Sequence, residues 1–125
     1  MKKISTILIV DDNKSDHIIS QVAIRKYDAS INVLTAYDGQ EALDLLETLD
    51  TPPDVILLDI NMPGMDGHEF LEEYSKEPSP ISIVAMLSTS NQESDKEKCL
   101  AYSFVKQYIV KPLEEDDLGV IAALL

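Results

Sequence analysis

The sequence alternates five times between a short aliphatic run and a longer amphipathic stretch. We interpret the aliphatic runs as strands at residues 7–10, 31–36, 55–58, 81–87 and 108–110. Runs as apolar as the first and third are typical of strands that are buried on both faces. Strands that alternate with helices predict an α/β fold in which helices cover both faces of a parallel sheet.

The intervening stretches predict five helices: residues 14–26, a helix capped by Asp38, a helix bearing Phe70, Leu71 and Tyr74, residues 92–103, and a helix from Glu114. In the first of them, Ile18, Ile19, Val22 and Ala23 form the apolar face expected of an amphipathic helix. The second and fifth strands have the character of sheet edges. This pattern matches the flavodoxin-like, doubly wound order 2-1-3-4-5.

Length and composition predict a single domain over residues 1–125. The one cysteine, Cys99, cannot pair within the chain, which favours a reducing cytoplasm. No apolar run approaches the length that spans a bilayer, so membrane insertion is not expected. The net charge of −13 repels phosphate backbones, so we expect no direct contact with nucleic acid.

Five polar side chains follow predicted strands at the edge where ligands bind in such sheets: Asp11, Asp12, Asp59, Ser88 and Lys111. Three carboxylates at one edge repel each other unless a pKa rises or a cation binds. Carboxylate oxygens suit Mg²⁺ better than zinc, which prefers nitrogen and sulfur.

The two histidines, His17 and His68, lie within predicted helices and share no edge with these groups. We therefore expect both to be surface residues.

Four segments together resemble the response-regulator receiver family of two-component signalling: Val10-Asp11-Asp12, the run from Leu57 to Gly67, Leu87-Ser88, and the run from Tyr108 to Pro112. Their order and spacing extend the resemblance over essentially the whole chain. The resemblance implies a phosphorelay switch that is not a turnover enzyme. The run from Gly67 to Leu71 is similar to stand-alone receivers.

The resemblance also implies roles at the matching positions. Asp59 is expected to accept the phosphoryl group of a phosphohistidine on a sensor kinase or phosphotransfer protein. Asp12 and Asp59 are expected to bind Mg²⁺ (or Mn²⁺) directly, Asp11 through water, and Asn61 through its backbone carbonyl.

In the same family pattern, Lys111 pairs with the phosphoryl group and Ser88 donates a hydrogen bond to it. Tyr108 is the expected aromatic switch residue, moving as Ser88 moves and remodelling a face that binds an unknown downstream protein. Asn61 and Ser90 occupy positions that tune the lifetime of the aspartyl phosphate.

Two other functions fit an α/β sheet with an acidic edge. A haloacid-dehalogenase-like phosphatase would use Asp59 as nucleophile, but it wants an acid two residues later, where this chain has Asn61. A flavodoxin-like FMN carrier needs a phosphate loop after the first strand, where this chain has Asp11 and Asp12. Turnover of a phosphomonoester, or a coloured protein, would favour one of these.

Overall fold

The computed structural model describes residues 3–77, 82–89 and 92–125. Strands and helices alternate throughout: β1 (Thr6–Val10), α1 (Lys14–Tyr27), β2 (Asn32–Ala36), α2 (Gly39–Thr48), β3 (Val55–Leu58), α3 (Gly67–Tyr74), β4 (Ile83–Ser88), α4 (Glu93–Leu100), β5 (Val105–Val110) and α5 (Glu115–Ala123). The α/β fold predicted from the alternating pattern is confirmed.

The five strands form one parallel sheet in the order β2-β1-β3-β4-β5. The predicted order is therefore correct, and the reversal of strand order lies between β1 and β3. In an open parallel sheet this reversal opens a crevice at the carboxyl ends of the strands, where ligands bind. Val10 pairs with Ala36 on one side and with Leu58 on the other, so β1, β2 and β3 end at the same level.

Side chains of each strand alternate between two apolar cores. In β1, Ile7 and Ile9 enter the core beneath α1 and α5, whereas Leu8 and Val10 enter the core beneath α2, α3 and α4. All four of these residues are at most 1% exposed. Burying a side chain of this size stabilises the fold by roughly 1.5–3 kcal/mol, so the sheet is held firmly from both faces.

Three helices begin at the carboxyl edge of the sheet with a side-chain cap. Asn13 accepts from the backbone N–H of Asp16, and Asp38, the predicted cap, accepts from that of Glu41. Asp66 and Glu69 form a capping box at the start of α3. Each cap satisfies a backbone donor that the helix leaves unpaired, so the loops beside the crevice have defined ends.

The apolar face predicted for α1 is correct at Ala23 and wrong at its other three positions. Ile18, Ile19 and Val22 are 64%, 47% and 43% exposed, whereas the helix buries His17, Ser20, Ala23 and Ile24. The sequence offers two overlapping apolar stripes on this helix. Packing selects the one that contains Ile24, because Ile24 and Ala23 enter the core shared with α5.

Some predicted bounds also differ. β5 begins at Val105, three residues before the predicted start, because Val105 itself is buried. Helix α4 ends at Leu100 rather than Ser103. Of the predicted fourth strand, Ile81 lies outside the described residues.

Within residues 3–77, 82–89 and 92–125, no helix combines the length and the apolar character needed to cross a membrane.

Candidate functional site

The backbone of the sheet brings the predicted site residues together. The N–H of Asp59 donates to the carbonyl of Val10 at 2.9 Å, and that of Asp11 donates to the carbonyl of Ala36 at 3.1 Å. Similarly, the N–H of Lys111 donates to the carbonyl of Ser88 at 2.8 Å. These bonds continue the parallel ladders by one residue, so the backbone of Asp11, Asp59 and Lys111 is held by the sheet.

Asp11, Asp12 and Asp59 form a three-carboxylate cluster, in which one oxygen of each lies within 4.8 Å of the others. Asp11 is 1% exposed and Asp59 is 6% exposed, while Asp12 faces solvent. The spacing and the all-oxygen donors fit a hard divalent cation, and the exposed side at Asp12 leaves room for water ligands.

Lys111 supplies the positively charged side chain of this site. Its Nζ donates to Asp11 Oδ2 at 2.8 Å and to Asp16 Oδ2 at 2.8 Å. It also lies 3.5 Å from Asp59 Oδ2. Burial disfavours the charged form of Lys111, but its bonds to Asp11 and Asp16 and the charge of Asp59 outweigh burial and raise its pKa. The ammonium group therefore stays charged.

Asp59 has an unusually high pKa for an aspartate. Burial raises its pKa to about 6, against an ordinary value of 3.8, and the charge of Asp11 adds to the rise. The charge of Lys111 and the backbone N–H of Ile60, which donates to Asp59 Oδ1 at 2.9 Å, oppose it. Near neutral pH the group is a carboxylate whose charge is poorly solvated. Binding of a cation beside it is therefore favourable.

Ser88 and Tyr108 lie on the two neighbouring strands at the other side of the site. Ser88 is the last residue of β4 and is fully buried. Tyr108 lies on β5 opposite Met86 and packs, half-buried, against the core beneath α2, α3 and α4. Asn61 is exposed two residues beyond Asp59, whereas Ser90 lies outside the described residues.

The turn that follows β3 depends on two glycines. Gly64 has a φ of +73°, a conformation that side chains rarely adopt. Gly67 donates its N–H to the carbonyl of Ile60 at 2.8 Å, and a Cβ at Gly67 would lie 2.5 Å from the carbonyl oxygen of Asp59. This close approach brings the start of α3 directly beneath Asp59.

Two residues of this site were missed from the sequence. Asp16 binds Lys111, and the available signal was its position in the first turn of a helix that begins beside Asp11 and Asp12. The predicted surface position of His17 is wrong, because the residue is 2% exposed and its Nε2 lies 2.7 Å from the carbonyl oxygen of Asp11. His68 is partly exposed and lies 3.2 Å from Asp95.

His17 is buried because it closes the loop after β1. Since a carbonyl only accepts, Nε2 carries the hydrogen, and the ring packs on Tyr37 with centroids 4.7 Å apart. Nδ1 is buried without a hydrogen-bond partner among the described residues. His17 thus fixes the backbone of Asp11, one of the three clustered carboxylates.

A five-stranded parallel sheet with an acidic, lysine-containing site beyond its carboxyl edge defines a class of α/β proteins whose strand ends carry a group of carboxylates that could hold a metal ion. The model of the response regulator receiver domain matches residues 7–123. The chain belongs to the response regulator receiver domain family, the receiver domains of two-component systems, which are phosphorylated on an aspartate.

Curated relatives match the chain over most of its length. The sensor histidine kinase GacS of Pseudomonas protegens is 30% identical over 92% of this chain and 12% of its own length. The nitrate/nitrite response regulator protein NarL of Escherichia coli is 36% identical over 91% of this chain and 51% of its own length. The chain thus spans about half or less of these two relatives.

Solved structures agree with this fold. A two-component response regulator from Cytophaga hutchinsonii superposes with a TM-score of 0.88 at 29% identity, covering 98% of this chain and 97% of that one. The phosphorylated cyanobacterial phytochrome response regulator RcpA gives 0.76 at 33% identity, covering 98% and 91%. The Mn²⁺-bound form of response regulator Rcp1 gives 0.73 at 29% identity, covering 96% and 91%.

Proposed function

We propose that Asp59 accepts the phosphoryl group of a phosphohistidine on a sensor histidine kinase or phosphotransfer protein. The observation that carries this proposal is the position of its carboxylate, buried beside Lys111 at the carboxyl end of β3. An oxygen of Asp59 attacks phosphorus, the P–N bond breaks, and the bonding pair remains on the histidine nitrogen. The product is an acyl phosphate on Asp59.

The three-carboxylate cluster is proposed to hold Mg²⁺ or Mn²⁺. Asp12 and Asp59 ligate the ion directly, Asp11 acts through water, and Asn61 contributes its backbone carbonyl. The all-oxygen spacing of the cluster and the Mn²⁺-bound form of Rcp1 support this assignment. When bound, the ion neutralises charge on the carboxylates and on the phosphoryl oxygens.

Lys111 is proposed to pair with the phosphoryl group, and Ser88 to donate its hydroxyl to another phosphoryl oxygen. Phosphoryl transfer requires mainly in-line positioning and charge neutralisation, so a fixed ammonium and a fixed hydroxyl suffice. The distance of 3.5 Å between Lys111 Nζ and Asp59 Oδ2 supports the role of the lysine. The buried position of Ser88 at the end of β4 supports that of the serine.

Tyr108 is proposed to report the state of Asp59 to a downstream protein. When Ser88 moves toward the phosphoryl group, Tyr108 rotates and changes the face formed by α4, β5 and α5. Its half-buried position on β5 supports this role, since such a ring has both a packed and an exposed alternative. A hundredfold change in population needs about 2.7 kcal/mol, which a few charge-assisted bonds supply.

The chain is further proposed to act as one receiver domain in the cytoplasm, without turnover of a free substrate. Cys99, buried and unpaired, supports a reducing compartment, and burial raises its pKa to about 11, which keeps it an unreactive thiol. The similarity to GacS, which is itself a sensor histidine kinase, supports a histidine kinase as partner.

The proposal is tested by labelling the purified protein with acetyl phosphate in the presence and absence of Mg²⁺. Wild-type protein is expected to gain one phosphoryl group only with the cation, and Asp59→Asn none, because an amide cannot form an acyl phosphate in this way. Asp44→Asn is the control, since Asp44 is exposed on α2, where it accepts a hydrogen bond from Gln40 of the same helix. Intact-protein mass spectrometry measures the product, and labelling of Asp59→Asn would refute the assignment.

A further inference from the structure

Lys111 lies among three carboxylates and cannot serve a further acceptor without giving one up. An ammonium group has three N–H donors. Two of them are taken at 2.8 Å, by Asp11 and by Asp16, and Asp59 Oδ2 lies 3.5 Å from the same Nζ. A phosphoryl group on Asp59 therefore competes for Lys111 with carboxylates that already hold it.

Asp16 differs from the other two carboxylates in its position. It lies in the first turn of α1, its side chain is 30% exposed, and it is not a member of the three-carboxylate cluster. Its backbone N–H is held by the Asn13 cap, which fixes the side chain beside Lys111. Asp16 thus binds the lysine without belonging to the site that would bind a cation.

We propose that Asp16 is a positioning residue that draws Lys111 toward α1 in the unphosphorylated protein and competes with the phosphoryl group for its ammonium. This inference rests on the proposed function of Asp59. Phosphorylation adds negative charge at Asp59, so Lys111 shifts toward the phosphoryl oxygens and its bond to Asp16 weakens. Asp16 therefore sets how much the phosphorylated state gains from Lys111.

A purely structural role for Asp16 predicts something different. An acidic residue in the first turn of a helix is favourable to the helix dipole and needs no partner. In that case its removal would destabilise α1 and weaken all binding at the site alike. Competition for Lys111 instead predicts two opposite changes.

First, the loss of Asp16 frees Lys111 for an anion on Asp59, so a phosphoryl mimic binds more tightly. Second, the freed Lys111 pairs more fully with Asp11 and Asp59, so a divalent cation that needs these carboxylates binds more weakly. The exchange of one partly exposed ion pair corresponds to a change of about two- to tenfold in affinity. A loss of helix structure would instead weaken the binding of both the phosphoryl mimic and the cation.

The experiment compares wild-type protein with Asp16→Asn, Asp16→Ser and Asp16→Glu. Beryllofluoride affinity is measured at saturating Mg²⁺ by ¹⁹F NMR, and Mn²⁺ affinity is measured alone by the EPR signal of the free ion. Asp16→Asn and Asp16→Ser are expected to bind beryllofluoride about two- to tenfold more tightly and Mn²⁺ more weakly. Asp16→Glu, which keeps the charge, should return both affinities toward wild type.

Asp28→Asn is the matched control, because it removes one negative charge from the far end of α1, beyond Tyr27. It is expected to leave both affinities unchanged. Beryllofluoride binding by Asp16→Asn and Asp16→Ser that is equal to or weaker than wild type would overturn the inference. The proposed function fails separately, through wild-type protein that does not bind beryllofluoride or Asp59→Asn that does.

Discussion

The carboxylate of Asp59 is buried beside a second carboxylate, Asp11, and this environment affects stability as well as chemistry. Its pKa is raised to about 6 in the folded protein, mainly by burial, against 3.8 as the ordinary value. The folded state therefore holds the proton of Asp59 more tightly than the unfolded state does. The resulting stabilisation is present below pH 4 and is lost as the pH rises through 6.

Asp59→Asn should therefore stabilise the protein in the absence of divalent cations, because it removes a poorly solvated charge. The difference from wild type is expected to be about 3 kcal/mol at pH 8 and about half of that at pH 5. Urea unfolding in the presence of EDTA, followed by circular dichroism, measures it. A stabilisation that is equal at both pH values would show that the charge of Asp59 is not its cause.

At the scale of the element, α3 is attached to the site by Gly67. A Cβ at this position would meet backbone atoms of Asp59 and Ile60 at 2.5 and 2.7 Å, and backbone cannot move aside as a flexible side chain can. The start of α3 and the end of β3 therefore form one rigid unit. The position of Asp59 depends on this contact.

Gly67→Ala is expected to destabilise the protein by about 1–3 kcal/mol, as overpacking against an unyielding surface does. It should also slow labelling of Asp59, since the strand end must shift.

Gly119→Ala is the control with the opposite expected effect, because a Cβ there meets nothing within 4 Å in the described part of the chain. Alanine in the middle of α5 should stabilise by about 0.5–1 kcal/mol. Thermal and urea unfolding of both variants measure the contrast, and a neutral Gly67→Ala would contradict it.

Helix α1 carries two functions on different faces. One face, with Ala23 and Ile24, packs into the core shared with α5, and its first turn supplies His17 and Asp16 to the site. A shift of this helix along its axis would therefore move both the loop carbonyl of Asp11 and the partner of Lys111. The geometry of the site therefore depends on how α1 packs against the core.

At the scale of the whole molecule, the net charge of −13 opposes folding through repulsion among the acidic residues. Salt shortens the screening length from about 30 Å at 0.01 M to about 8 Å at 0.15 M. Wild-type protein is therefore expected to unfold at a higher urea concentration as NaCl is added. This effect comes from screening of charges over the whole surface and does not require a cation bound at the three-carboxylate cluster.

MgCl₂ at the same ionic strength should stabilise wild-type protein beyond NaCl, because a cation that binds only the folded state adds its binding free energy. In Asp59→Asn the additional stabilisation should largely disappear, while the response to NaCl remains. Urea midpoints in matched NaCl and MgCl₂ solutions separate the two effects. An equal response of both proteins to MgCl₂ would place the bound cation elsewhere.

Much of this molecule follows from local pattern. Apolar runs such as Val55–Leu58 identify buried strands, and a residue directly after such a run must stand at the carboxyl edge of the sheet. The meeting of Asp11, Asp59 and Lys111 was predictable for this reason, because strand ends in a parallel sheet share one edge. The strand order followed from the edge-like character of the outer strands.

The orientation of α1, the burial of His17 and the bond between Asp16 and Lys111 were decided only by tertiary structure. Ile18, Ile19 and Val22 have the same period as a buried face, and periodicity cannot say which of two overlapping stripes meets the sheet. Contacts between residues about a hundred positions apart, such as Lys111 with Asp16, depend on how elements pack. The sequence by itself determined the groups that follow the strand ends: Asp11, Asp12, Asp59, Ser88 and Lys111. Packing determined which of them Lys111 binds, because an ammonium group pairs with whichever carboxylates the neighbouring elements bring within reach.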